Sequence, residues 1–333
     1  MLTRLSQFTL AALTAIALGS CSKSETADHH AHHADSSAHV HDASHAHYTC
    51  PMHPEVVSET PGICPKCKMD LVLQGEEQKA GLHDATKFKM DFETLPAEIA
   101  PGQPAILKFM PKNAADNSML RDLKIVHEMP MHLLIVSSDL SWFAHEHPEA
   151  KPDGSYELAY KFPRADNYLF YSDVTPQGSS HSQVFKLSKT VGSATGANPQ
   201  LVPSSNFKAE GYEYQLVTEP ANLAAGKSSS VSVRVSKGGK PVTDIENYLG
   251  ALGHMVIISE DKEDFLHAHP EDHAHTDAEK NDPKHTHETV TAPSRGPNVS
   301  FMTLFPKAGK YKVWAQFNID GKVRTAEFVV TVS

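Results

Sequence analysis

Along most of the chain after residue 86, apolar and polar residues alternate in short runs that Pro, Gly, Asn and Asp interrupt. The runs are rich in β-branched and aromatic residues, which favour strands; examples are HLLIVSS, NYLFYSDV, SSVSVRVS, KYKVWAQF and TAEFVVTV. A helical period is hardly visible. Because parallel strands need helical crossovers, the pattern predicts a mainly β protein whose antiparallel sheets pack as β-sandwiches.

This β-rich region contains an internal repeat. The segment MHLLIVSSDLSWFAHEHPE, which begins at Met131, aligns with GHMVIISEDKEDFLHAHPE, which begins at Gly253, and FPRADNYLFY aligns with FPKAGKYKVW. The repeat predicts two domains, residues 86–188 and 209–333, joined by a polar linker at 189–208. We expect two immunoglobulin-like antiparallel β-sandwiches, without the disulfide of antibody domains because no cysteine follows Cys67.

The first 20 residues are typical of a signal peptide. Arg4 provides a positive charge, and the uncharged run from Phe8 to Leu18 is too short to span a bilayer. The run leads into LGSC, which resembles a bacterial lipobox; an ordinary secretory signal is the alternative. The resemblance implies that Cys21 is lipidated and that acyl chains anchor the protein to a bacterial membrane, facing the periplasm or the cell exterior.

Composition adds one unusual feature, a high histidine content. The net charge of −10 argues against a nucleic-acid partner and leaves no basic patch for anionic lipid. Eight of the 22 histidines lie between residues 22 and 47, where large apolar side chains are almost absent. Residues 21–47 are therefore expected to be a disordered tether, whose imidazoles can also collect copper, nickel or zinc.

A cysteine–histidine motif follows this tether. Its spacing is C-x2-H-x10-C-x2-C, and its members are Cys50, His53, Cys64 and Cys67. Three thiolates and one imidazole suit a tetrahedral ion, and a bound metal can supply the folding energy that so short a segment lacks. One disulfide plus an unpaired thiol is the alternative interpretation.

The segment YTCPMHPEVVSETPGICPKCKMDL resembles the heavy-metal-binding domain found in membrane-fusion subunits of copper and silver efflux systems and in copper-transporting ATPases. One departure is Lys68, where that family usually has glycine. The resemblance implies a domain at 48–73 that binds soft or borderline ions, and a metal efflux system as a partner. Met52 and Met69 would be thioether donors to Cu(I) or Ag(I), or would pack a small core.

The motif His-x-His-Pro occurs once in each repeat. Residues i and i+2 of a strand share a face, so His145 and His147 project together, as do His267 and His269. If the preceding strands form hairpins with these segments, His132 joins the first pair and His254 joins the second.

Three imidazoles with an open fourth position suit copper or zinc. The alternative is that these histidines are surface or hydrogen-bonding residues. Met129 and Met131 precede His132 and add two thioethers to the first group. An insertion at 271–292 contains four further histidines and is either a solvated loop or a flap that collects ions.

The repeats also resemble secreted bacterial β-domains that accompany heavy-metal-binding domains and are described only as candidates for metal or copper binding. We predict a membrane-anchored protein that captures, buffers or delivers copper or silver, with zinc as a further candidate, in metal homeostasis or resistance. One alternative is a scaffold protein with immunoglobulin-like domains.

A copper- or zinc-dependent enzyme is another alternative, but we expect binding rather than catalysis. The sequence has no serine-nucleophile motif, phosphate loop or dinucleotide fingerprint. The sandwiches also lack the cysteine of a blue-copper site. Glu146 and Glu149 are candidate carboxylate bases for a zinc centre, although strand alternation turns Glu146 away from its histidine neighbours.

Overall fold

The computed structural model of the 333-residue chain describes residues 48–49, 56–60, 62–65, 71–73, 83–179, 181–194, 196–270 and 295–333. In these ranges the regular structure consists of strands and turns, which confirms the predicted mainly β fold. The same ranges contain no helix that could cross a membrane. The predicted signal peptide, Cys21, the tether and the insertion at 271–292 lie outside the described residues.

A three-stranded antiparallel sheet comes first in the described chain. Strand β1 (Tyr48–Thr49) pairs with β2 (Val57–Ser58) and with β3 (Val72–Leu73). Buried Cys64 and Leu71 form a small core against this sheet. Cys64 is the one predicted ligand of this segment that the structure describes; Cys50, Met52, His53, Cys67 and Met69 lie outside the described residues.

Domain one consists of eight strands in two antiparallel sheets. They are β4 (Phe88–Leu95), β5 (Pro104–Asn113), β6 (Met131–Val136), β7 (Phe143–Glu146), β8 (Glu149–Ala150), β9 (Tyr156–Lys161), β10 (Asp166–Val174) and β11 (Gln183–Val191). One sheet has the order β4-β5-β9-β8 and the other β11-β10-β6-β7. Alternate residues of both sheets meet in one core, which includes Phe109, Phe162 and Phe170. The domain is therefore an antiparallel sandwich.

Domain two repeats this arrangement. Its strands are β12 (Asn206–Ala209), β13 (Tyr212–Glu219), β14 (Ser228–Lys237), β15 (Lys240–Pro241), β16 (His254–Ser259), β17 (Phe265–Ala268), β18 (Asn298–Leu304), β19 (Gly309–Ile319) and β20 (Lys322–Val332). One sheet has the order β12-β13-β14-β15, with β18 also paired to β14, and the other has the order β17-β16-β19-β20. Their facing side chains form a second core.

Both domains share a tyrosine corner, a feature of immunoglobulin-like sandwiches. The Tyr168 hydroxyl donates to the carbonyl of Arg164 at 3.0 Å, and the Tyr311 hydroxyl donates to the carbonyl of Lys307 at 2.8 Å. Each tyrosine also contacts the phenylalanine that opens its repeated FP motif. The shared sequence motif thus fixes the same corner twice.

The two sandwiches pack against each other through the sheets that contain β6 and β16. Leu134 and Val136 of β6 meet Val256 and Ile258 of β16 in an interdomain core. Two aromatic stacks close this interface: Phe143 lies 4.9 Å from Trp314, and Tyr171 lies 5.0 Å from Phe265, measured between ring centroids. Every residue of β6 and β16 is buried, because one face of each strand packs in its own sandwich and the other faces the partner domain.

Candidate metal centre

The predicted hairpins form in both domains. In domain one β6 pairs with β7, which places His145 opposite Leu134, and in domain two β16 pairs with β17, which places His267 opposite Val256. Alternation sends His132 and His145 to the interdomain face, while Leu133 and Ala144 pack toward the core of domain one. Each domain therefore delivers its histidines to the same interface.

Two groups of histidines meet at this interface. We call His132, His145 and His147 the first triplet, and His254, His267 and His269 the second triplet. Ring centroids of different domains lie 5.2 Å apart for His132 and His267, and 5.3 Å apart for His145 and His267. The sequence predicts two separate groups, whereas the structure brings them into one histidine cluster at the junction of the domains.

The first triplet has the spacing expected of ligands on one ion. His132 Nδ1 lies 3.2 Å from His145 Nε2 and 3.2 Å from His147 Nε2. A tetrahedral zinc or copper ion with metal–nitrogen distances of about 2.0 Å would separate its ligand nitrogens by about 3.3 Å. The three imidazoles thus converge as the sequence analysis proposes for this domain.

Hydrogen bonds to oxygen acceptors indicate which nitrogen of His132 and of His145 carries the proton. His132 Nε2–H donates to the carbonyl of Val126 at 3.0 Å, which leaves its Nδ1 as a lone pair. His145 Nδ1–H donates to Gln316 Oε1 at 2.9 Å, and the amide nitrogen of Gln316 in turn donates to Thr325. His132 Nδ1 and His145 Nε2 therefore face each other as two lone pairs, a contact that a bound cation would make favourable.

The second triplet is held in the same way. His254 Nε2–H donates to the carbonyl of Tyr248 at 2.8 Å, and His267 Nδ1–H donates to Asp173 Oδ2 at 3.3 Å. His254 Nδ1, His267 Nε2 and His269 Nε2 are buried and find no hydrogen-bond partner among the described residues. Leaving a buried acceptor unpaired costs about 1–3 kcal/mol, so these three nitrogens are well placed to accept a ligand.

A further set of nitrogens joins the two domains directly. One ring nitrogen each of His145, His254 and His267 lie within 4.8 Å of one another, as do those of the first triplet. His145 belongs to both sets, so the cluster is continuous across the interface. No ion-binding group of comparable size is found elsewhere in the part of the chain that the structure describes.

Asp173 and Gln316 are equivalent residues with different chemistry. Asp173 pairs with His132 across β10 and β6, and Gln316 pairs with His254 across β19 and β16. Each reaches across the interface to the middle histidine of the other domain's triplet. A carboxylate makes the imidazole that it accepts from a stronger base than an amide does, so the two halves of the cluster are unequal.

His127 is a member of the cluster that the sequence analysis missed. Its ring stacks on His269 with the centroids 3.5 Å apart, and it lies 5.9 Å from His254. His127 and Glu128 both have positive φ, in a tight turn whose counterpart in domain two is Leu249-Gly250. Backbone strain at non-glycine residues is common at functional sites. The sequence does not indicate this role, because domain two has Leu249 at the position of His127 and because His127 contacts the triplet of the other domain.

Burial keeps most of these imidazoles neutral. It lowers the pKa of His145, His254, His267 and His269 well below the ordinary value, and neighbouring imidazoles lower it further. Burial and His132 lower the pKa of His147 to about 4. Neutral imidazole is the form that binds metal, so the cluster is ready to accept cations at pH 7.

The structure corrects one predicted ligand and locates three other residues. Met131 lies in the core of domain one, on the face of β6 opposite His132, so its thioether points away from the histidine cluster. Met129 closes the turn that contains His127 through its backbone. Glu149 is exposed and pairs with Lys151 at 2.9 Å, whereas Glu146 is half-buried and burial raises its pKa.

Replacing Asp173 is expected to weaken metal binding. Asp173→Asn removes the carboxylate that orients His267, and changes of this kind lower metal affinity by about 10- to 100-fold. Competition titrations with Cu(II) or Zn(II), followed by tryptophan fluorescence, would measure the change. The matched control is Asp116→Asn, in an exposed turn of domain one. Equal affinities for the two variants would contradict the assigned role.

Comparison with known families assigns both sandwiches to one family. A family model described as "Domain of unknown function (DUF8832)" matches residues 84–191 and again residues 207–333. The chain belongs to this DUF8832 family. Each matched segment contains one of the two histidine-bearing hairpins and one histidine triplet, so the cluster is formed between two DUF8832 domains.

A second family model, "Heavy metal binding domain", matches residues 47–73, which include the cysteine–histidine motif. This segment is therefore a heavy-metal-binding domain. The chain is also 71% identical over 28 residues to a copper-transporting P-type ATPase of Rhizobium leguminosarum bv. viciae. The match covers 8% of this chain and 3% of the ATPase, so it concerns one small segment of that protein.

Solved structures that the comparison matches to this chain include bacterial adhesins. FdeC, an Escherichia coli adhesin, is 12% identical with a TM-score of 0.21, and the match covers 75% of this chain and 65% of FdeC. The adhesin InvE of Yersinia pseudotuberculosis is 8% identical with a TM-score of 0.22, covering 74% of this chain and 60% of InvE. The chain thus spans less than two thirds of either adhesin.

Proposed function

We propose that this protein captures and buffers copper or silver outside the cytoplasm, with zinc as a further cargo, while acyl chains on Cys21 anchor it to the membrane. The observation that carries the proposal is the convergence of His132 Nδ1 with His145 Nε2 and His147 Nε2 at 3.2 Å. The heavy-metal-binding domain at 47–73 supports it from a separate part of the chain.

The two metal-binding parts suit different ions. Thiolates and thioethers prefer Cu(I) and Ag(I), whereas imidazoles also accept Cu(II) and Zn(II). A protein with both ligand sets can hold copper in either oxidation state. Transfer of the ion to a metal efflux system is part of the proposal, because the small domain resembles domains of such systems and of copper-transporting ATPases.

The proposal is binding rather than catalysis. A zinc hydrolase would need a carboxylate base beside the ion, yet Glu149 pairs with Lys151 in solvent. Glu146 alternates with His145 along β7 and so points to the other face of the sheet. Asp173 does bring a carboxylate to the cluster, but it accepts from His267 Nδ1–H and so orients a ligand.

Metal content of ligand variants tests this proposal. A chain that lacks residues 1–21 would be loaded with copper, silver or zinc and washed with free histidine to remove weakly held ions. We expect His145→Ala/His147→Ala and His267→Ala/His269→Ala to lose copper and zinc but to keep silver at the cysteines. Cys64→Ser/Cys67→Ser should show the reverse pattern. Unchanged metal content in all three variants would refute the proposed function.

A further inference from the structure

The two triplets present equivalent ring atoms from the two sides of the interface. The candidate ligand atoms are His132 Nδ1, His145 Nε2 and His147 Nε2 in domain one, and His254 Nδ1, His267 Nε2 and His269 Nε2 in domain two. Ring nitrogens of the first triplet lie within 4.8 Å of one another, and in domain two His254 and His267 have that spacing together with His145. In each domain the first ring is fixed by a carbonyl six residues earlier in the chain. In each domain the second ring is fixed by a side chain of the other domain. This reciprocity is that of a two-fold interface.

One ion cannot use all of these nitrogens. Tetrahedral copper or zinc takes four ligands, whereas the two triplets offer six ring nitrogens. If a single ion occupied the first triplet, three buried acceptors of the second triplet would remain without hydrogen-bond partners among the described residues. A second ion bound by His254 and His267, which offer ring nitrogens within 4.8 Å of each other, would remove most of that penalty, with His269 Nε2 as a third unpaired nitrogen beside them.

The triplets are also close enough for two ions to be immediate neighbours. Ring centroids within the second triplet are 4.5 to 5.7 Å apart, and those of His132 and His145 lie 5.2 and 5.3 Å from His267 in the other domain. The centroid distances across the interface thus fall within the range found inside the second triplet. Known two-metal sites hold their ions about 4 Å apart.

With two cations bound, an ionised Asp173 carboxylate would offset part of the repulsion between them. It pairs with His132 of the first triplet through the sheet, and its carboxylate accepts from His267 of the second triplet. Its side chain is only 15% exposed, so solvent screens it weakly. His127 covers the same side of the cluster by stacking on His269.

We infer that the histidine cluster binds two transition-metal ions at once, one in each triplet, as a paired-ion centre between the two domains. The inference rests on the proposed function and deepens it, because the site then holds a pair of copper ions rather than isolated ones. Neither domain completes the centre alone: the middle histidine of each triplet is oriented by a side chain of the other domain.

Electron paramagnetic resonance of the Cu(II)-loaded protein tests this inference. The full mature chain would be titrated with Cu(II), and the copper content would be compared with the integrated spin. The triple variant Cys50→Ser/Cys64→Ser/Cys67→Ser would be measured in parallel to account for copper at thiolates. We expect isolated Cu(II) spectra below one equivalent, and then dipolar broadening with a half-field transition as the second ion binds.

Two double variants test which triplet binds each ion. His132→Ala/His147→Ala and His254→Ala/His269→Ala should each lose one copper per chain, and the copper that remains in each should give an isolated spectrum. Their combination should lose two. The wild-type titration needs no substitution, so it decides the question even if a variant fails to fold.

Other outcomes separate this inference from the proposed function. If the combined variant loses only one copper, and the wild-type spectrum stays isolated at saturation, the cluster holds one shared ion; the paired-ion centre is then refuted while the proposed function stands. If folded variants lose no copper at all, the sandwiches do not bind metal and both ideas fail for this site.

Discussion

Lowering the pH from 7 to 5 is expected to remove most of the stability of the metal-free sandwiches. Four cluster histidines have a pKa far below the ordinary value of 6.5 because they are buried, and His147 has a pKa of about 4. The unfolded chain therefore binds more protons than the folded protein at any pH between these values and 6.5. Stability that is complete above pH 6.5 is lost as the pH falls.

The magnitude follows from proton linkage. Each histidine that stays neutral in the folded state costs about 1.4 kcal/mol per pH unit below 6.5, or about 2 kcal/mol at pH 5. The four buried histidines together reach at most about 8 kcal/mol, which is comparable to the whole stability of a typical domain. Burial raises the pKa of Asp173, which acts in the opposite sense, but one carboxyl offsets one histidine at most.

Urea unfolding at several pH values would measure this loss. The chain's two tryptophans, Trp142 and Trp314, both lie in the sandwiches, so their fluorescence reports on these domains without interference from residues 48–73. Saturating Zn(II) should preserve stability to lower pH, because the ion competes with protons for the same nitrogens. The control His29→Ala/His30→Ala, in the predicted tether, should behave as wild type. A free energy of unfolding that is constant from pH 7 to 5 would contradict the prediction.

The second large effect concerns the interface between the domains. Leu134→Ala removes a fully buried side chain that packs outside the core of its own sandwich, against domain two. We expect a loss of about 3 kcal/mol in the free energy of unfolding, because the cavity cannot fully collapse between two sheets. We also expect weaker copper binding, since the interface holds both triplets together.

Leu133→Ala is the matched comparison for this variant. Leu133 is the preceding residue of the same strand and equally buried, but it faces the core of domain one. Both variants should destabilise the protein, whereas only Leu134→Ala should reduce copper affinity substantially for the same loss of stability. The exposed substitution Val217→Ala should change stability by less than about 0.5 kcal/mol. Equal copper affinities in both leucine variants would show that the interface does not support the site.

The sequence predicts the histidine-bearing hairpin of each domain, but it does not predict that the two hairpins contact each other. Alternation and the repeated His-x-His-Pro motif are local features, so they place His145 beside His147 and predict that His132 joins them. The contact between His145 and His267 depends on how two sandwiches dock, and periodicity contains no information about docking. The uninterrupted apolar run after His132 is a hint in retrospect, because a strand in a two-layer sandwich would normally keep one polar face.

Residue chemistry outside the motifs is harder to predict. Asp173 and Gln316 belong to aligned strands, yet their roles appear only when each side chain reaches the other domain. Met131 is a predicted ligand that the structure places elsewhere. It neighbours His132 in sequence, but strand alternation turns its side chain into the core of domain one. Sequence proximity thus overestimates thioether ligands and underestimates the residues that orient the imidazoles.

The covalent connection between the two sandwiches has a consequence for behaviour at low abundance. Two separate single-domain proteins with this interface would have to find each other, and their association would weaken on dilution. The connecting segment between β11 and β12 gives each half a high effective concentration of the other, on the order of millimolar for a short linker. The assembled centre therefore persists at any copy number, and each half is free to diverge in sequence, as Asp173 opposite Gln316 already illustrates.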